Sequence, residues 1–152
     1  MTEPEQDKPK KLYKDRYTKI DKRTIEAVRN AILTQRFYKQ DNSNKKQIIT
    51  ELFNRLNAIY NTQATLRIDE NNNNMYMMTG GGMYNPSNNT IHLFKLSLIT
   101  FLHEFKHALL KAKGKKQSEI QARGYSISLF YKASERHYNR AVRKGLIFHE
   151  KP

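Results

Sequence analysis

Apolar residues recur at three- and four-residue intervals in several stretches of the chain, and that spacing predicts amphipathic helices. In the first, Ile25, Val28, Ile32 and Phe37 approximate one face, Asp21 is placed to cap the start, and the helix runs to about Tyr38 before the polar run Asp41-Asn42-Ser43-Asn44 breaks it. The second carries a clearer stripe of Ile48, Ile49, Leu52, Phe53, Leu56, Ile59 and Tyr60, with Asn44 and Gln47 at capping-box spacing. Three shorter segments are richer in strand formers: Ala64 to Ile68, Met75 to Thr79 and Thr90 to Phe94. Asn71 to Asn74 reads as a loop. Gly80-Gly81-Gly82 reads as a hairpin turn, with close backbone approach as the alternative, and Asn85 to Asn89 reads as a second turn. The three segments therefore predict a small antiparallel sheet.

A third helix, from about Ser97 to Lys113, is apolar nearly all round, with Leu98, Ile99, Phe101, Leu102, Phe105, Ala108, Leu109 and Leu110, and a helix of that kind is buried. Gly114 ends it. Ser118 with Gln121 caps a fourth helix that returns through Ile127 and Phe130 to about Ser134, and a polar tail follows, with helix through Val142 as an option. Met1 to Lys11 holds Pro4 and Pro9 among charged groups and has nothing to bury. The expected organisation is a basic, disordered lead over 1–18, one α+β domain over 19–140 and a polar tail over 141–152.

Composition narrows the chemistry. At 152 residues the chain suits one domain, and with no cysteine it has neither disulfides nor thiolate metal ligands. No segment has the pattern of a signal peptide or a membrane span, so a cytoplasmic protein without membrane contact is expected. The formal net charge is +14, and from Lys106 to Lys144 eleven Lys or Arg face only Glu119 and Glu135. A cationic second half of that kind attracts polyanions, so DNA or RNA is a candidate partner.

The buried third helix contains His103, Glu104 and His107, an H-E-x-x-H pattern. Residues four apart lie one turn above each other, so both imidazoles can reach one ion, while Glu104 is turned about 100° from His103. That leaves the carboxylate beside the metal, where it can take a proton from an activated water and pass it to a leaving amine. With this composition the pattern arises by chance in about one chain in a hundred. Burying three such groups among leucines and phenylalanines costs several kcal/mol unless something binds them. One Zn2+ and a peptide or protein substrate are the expectation.

A catalytic zinc site takes three protein ligands. Downstream of His107 the candidates are Glu119, Glu135, His137, His149 and Glu150. Glu119 opens the returning helix near the level of His107, whereas Glu135 and His137 stand about 24–27 Å further along at 1.5 Å per residue. Glu119 is therefore the predicted third ligand.

The stretch from Gly80 to Ser134 resembles a gluzincin-type zincin: Tyr84-Asn85, Thr90-Ile91-His92-Leu93, Phe101 to Leu109 with the motif, then Glu119-Ile120-Gln121-Ala122. It is most similar to ImmA/IrrE-like peptidases, with SprT-like and antirestriction zincins second. The resemblance implies His103, His107 and Glu119 as zinc ligands and Glu104 as catalytic base. The family's second acid and asparagine on the returning helix are Gln121 and Arg123 here, so substrate details do not transfer. It also implies an edge strand that pairs with extended substrate, which points to Ile91, His92 and Leu93, with His92 facing the cleft. Tyr84, Tyr125 and Tyr131 are candidates to stabilise an oxyanion, and Tyr125 is also a candidate substrate contact.

Overall fold

The protein is described from a computed structural model covering residues 19–146. The basic lead over 1–18 and the end of the tail, with His149 and Glu150, lie outside the described residues. Asp21 caps helix α1 (Lys22–Arg29), its carboxylate accepting the Arg23 amide at 2.8 Å. The helix does not continue to Tyr38. It loosens into a π-helical turn over Asn30–Thr34, closed by Gln35 N–H to the Asn30 carbonyl, and Arg36 then adopts a left-handed conformation. That reversal starts a 3-10 turn (Phe37–Lys39) and drops Phe37 into the core at 1 % exposure.

Helix α2 (Asn42–Tyr60) begins ahead of the expected capping box, because Asp41 accepts the Asn44 amide at 2.8 Å and so serves as the cap. Its stripe of Ile48, Ile49, Leu52, Phe53 and Leu56 is buried as the periodicity predicts. Strand β1 (Thr65–Ile68) follows.

The segment Met75–Thr79 is helical rather than extended. It lies in α3 (Asn73–Thr79), where the Asn72 side chain accepts the Met75 amide at one end and Gly80, at φ +74°, receives the reversal at the other. Two well-formed caps and the good helix propensity of methionine outweigh the strand signal of tyrosine and threonine. The strand comes next instead, β2 (Gly82–Asn85), and pairs antiparallel with β3 (Thr90–Leu93) across the Asn85–Asn89 turn. β3 also pairs with β1, in parallel, with Thr65 opposite Thr90 and Ile68 opposite Leu93. The sheet is thus mixed, in the order β1-β3-β2, with β3 in the middle.

Helix α4 (Leu98–Ala112), capped by Ser97, runs through the centre of the fold. Phe101 and Phe105 meet Phe53 edge to face at 6.3 and 6.4 Å, and with Leu102 and Leu109 they join α4 to α2 and the sheet. Helix α5 (Glu119–Ala133) returns along α4, capped by Ser118, whose side chain accepts the Gln121 amide. Helix α6 (Glu135–Arg143) anchors through Tyr138, 1 % exposed, and Ala141 and Val142 also pack on the core. No described helix is long and apolar enough to cross a membrane.

Candidate metal centre

Because α4 turns its phenylalanines toward α2, the opposite face carries His103 and His107 toward the start of α5 and the edge of β2. Nitrogen and oxygen atoms of His103, Glu104 and His107 lie within 4.8 Å of one another. From the returning helix the Glu119 carboxylate spans both rings: Oε2 is 2.8 Å from His103 Nε2, and Oε1 is 2.9 Å from His107 Nε2. The first is a hydrogen bond. The second is a close contact, and the buried His107 Nε2 has no hydrogen-bond partner among the described residues. Glu119 itself stays open to solvent, with 68 % of its side chain exposed.

The orientation of His107 is fixed from behind by Gln117. The amide oxygen of Gln117 is 2.7 Å from Nδ1, and its nitrogen donates to the His107 carbonyl at 3.0 Å. That second bond sets which end of the amide is oxygen. An oxygen can only accept, so Nδ1 carries the proton and Nε2 presents its lone pair to the centre. Tyr84 of β2 stacks nearly parallel on the same imidazole, with centroids 6.2 Å apart at 8°, while its hydroxyl donates to Asn89.

Glu104 is 7 % exposed, and among the described residues no hydrogen bond or cation satisfies its carboxylate. Burial, with the Glu119 charge nearby, pushes its pKa from 4.5 to about 8. Burial also lowers His103, against the opposing pull of Glu119. For Glu119 burial acts upward, but the His103 hydrogen bond and the two imidazoles outweigh it and hold the carboxyl below its usual range.

No family model, curated protein or solved structure matches the chain. Two imidazoles and a carboxylate converge, and among the described residues one ring nitrogen is orphaned and the carboxylate of the 7 % exposed Glu104 has no hydrogen-bond partner. This donor set fits a borderline cation such as Zn2+ better than it fits Mg2+ or Ca2+, which take all-oxygen shells.

The expected substrate strand is not at an edge. β3 pairs on both sides, and Ile91 and Leu93 are fully buried beneath it. Cross-strand partners share a face, so Ile91 sits with Tyr84 and Leu93 with Gly82 toward α4, while His92 sits with Met83 on the far face, stacked on Phe94. His92 does not face the centre. The edge beside the motif helix is β2, whose outer side pairs with no strand among the described residues. Tyr125 is 4 % exposed and its ring faces Lys106 Nζ at 4.9 Å, inside the helix packing. Tyr131 packs on Tyr138, near the far end of α5. Tyr84, by its stacking on His107, is in contact with the centre. Glu135 and His137 belong to α6, at the opposite end of α5 from Glu119.

Sequence reasoning missed Gln117 and the role of Gly82. Gly82 lies against α4 so closely that an added Cβ would stand 2.8 Å from Thr100 Cγ2 and 3.2 Å from Glu104 Cγ. The glycine run of the sequence carries that signal, a close backbone approach, beside its turn signal. Gln117 carries no sequence signal beyond its place in the loop between the motif and Ser118.

Proposed function

We propose that the protein is a zincin-like metallopeptidase in which His103, His107 and Glu119 hold one zinc ion and Glu104 is the general base and acid. The observation that carries this reading is the Glu119 carboxylate of α5 set across two Nε2 atoms of α4, with a second carboxylate, Glu104, on the helix of the two histidines and without a hydrogen-bond partner among the described residues. Metal binding alone has no need of Glu104, and a buried unpaired carboxylate lowers stability, so its presence argues for chemistry. Zinc held there would supply Lewis acidity, polarising the scissile carbonyl and lowering the pKa of a water toward ~7.

The protein's own groups do the rest. Glu104 takes the proton of the attacking water and delivers it to the amine as the peptide bond breaks. Gln117 keeps the His107 tautomer fixed, as outer-shell partners of metal-bound histidines do. The free edge of β2 supports main-chain pairing with an extended peptide, running antiparallel or parallel beside Tyr84. The stretch of β2, β3, α4 and α5 supports the zincin comparison drawn from the sequence.

The test is cleavage of a diverse peptide mixture by zinc-supplemented protein, read by mass spectrometry. Wild type is expected to produce new termini that Glu104→Gln does not, although the variant still binds zinc. Equal cleavage by both, or none by either across a broad mixture, contradicts the assignment.

A further inference from the structure

A second site lies at the other end of the α4–α5 pair. Phe130, on its wall, is eleven residues from Glu119 along α5, roughly 16 Å at 1.5 Å per residue. There the 3-10 turn, the start of α4 and helix α6 enclose an open cleft of about 540 Å³. That volume lies within the range of small-molecule sites, about 300–1,000 Å³.

Its charge is one-sided. Lys39, Lys45, Lys95, Arg140 and Lys144 line it, and among the described residues no aspartate or glutamate does. None of the five is in an ion pair among the described residues. Leu98 and Ile99, the first two residues of the fifteen-residue α4, line the same space, so the positive end of that helix lies beside it. Cations gathered around one concavity repel each other unless an anion sits between them.

The cleft also has a ring platform. Tyr38 stacks on His137 with centroids 5.4 Å apart at 21°, and Phe37 and Phe130 hold it edge-on at 5.1 and 6.5 Å. Even so, 44 % of Tyr38 remains exposed. A fixed, partly exposed aromatic ring beside clustered cations matches a phosphate joined to a flat ring better than it matches a bare phosphate, which has no use for the ring.

We propose that this cleft binds a nucleotide unit, with its phosphate among Lys39, Arg140 and Lys144 and its base on Tyr38. The unit is either a free nucleotide or part of a single strand. The proposal stands independently of the metal centre, since none of these residues touches it.

Titration calorimetry on the full chain at low ionic strength tests it, with AMP, inorganic phosphate and an eight-nucleotide single-stranded DNA as probes. AMP or the octanucleotide is expected to bind with 1:1 stoichiometry, about tenfold or more tighter than phosphate. The exposed-residue variant Arg140→Glu/Lys144→Glu is expected to weaken that binding at least about tenfold. Tyr38→Ala is expected to bring AMP down to the level of phosphate while leaving phosphate itself unchanged. Binding of AMP alone assigns a free nucleotide, and binding of the octanucleotide that the same substitutions weaken assigns a strand. No binding of either, equal binding of phosphate and AMP, or affinities indifferent to these substitutions in variants that keep their thermal midpoint overturns the proposal.

Discussion

Glu104→Gln in metal-free protein isolates the cost of keeping a carboxylate buried beside Glu119. The Glu104 pKa rises from 4.5 to about 8 on folding. Between those values the folded state holds a proton that the unfolded state has lost, so unfolding free energy falls as pH rises through the window. Stability from this group is fully present below about pH 4.5 and gone above about pH 8. At 1.36 kcal/mol per unit, the full shift corresponds to about 5 kcal/mol, comparable to the whole stability of a marginal domain. Glutamine has the same shape and no charge, so it removes this slope. Urea unfolding of chelator-treated wild type and Glu104→Gln, from pH 5 to pH 9, reads the difference directly. Wild type is expected to lose several kcal/mol more than the variant over that range. Parallel profiles would show that Glu104 carries no burial penalty and would refute its assignment as an unpaired, desolvated base.

Three further outcomes follow from particular contacts. Gln117→Leu removes both hydrogen bonds to His107, and zinc affinity measured by chelator competition is expected to fall about 10- to 100-fold with little change in thermal midpoint. Gly82→Ala forces a methyl against Thr100 and Glu104; calorimetry should show a loss of about 1–3 kcal/mol, and any peptide cleavage should fall with it. Phe105→Ala empties the aromatic cluster between α4 and α2, and chemical denaturation should report a loss of about 3–5 kcal/mol.

The motif helix and its return were legible in the sequence because their signals are local. Ser97 and Ser118 cap where a serine before an apolar run should cap, and the turn at Gly114 brings Glu119 back to the level of His103 and His107. The middle of the chain was less legible. Tyr76 and Thr79 look like strand residues, yet Asn72 and Gly80 close a helical turn around them, and the strand falls on Gly82–Asn85, a segment with little β-propensity. Whether β3 was central or an edge depended on β1 pairing in parallel from a distant part of the chain, which residue pattern alone does not encode. The same holds for Gln117, whose partner is set by how the loop folds back. The basic character of the second half was plain from composition. That Arg140 and Lys144 meet Tyr38, Lys39 and Lys45 of the first half in one cleft was not.

The central claim is that His103, His107 and Glu119 together hold one zinc ion. Its most direct measurement is metal content by inductively coupled plasma mass spectrometry on purified wild type, His103→Ala and Glu119→Ala, each equilibrated with zinc and then desalted. The account predicts about one zinc per wild-type chain and far less in both variants. Wild type without zinc, or both variants retaining it at full stoichiometry, would contradict it.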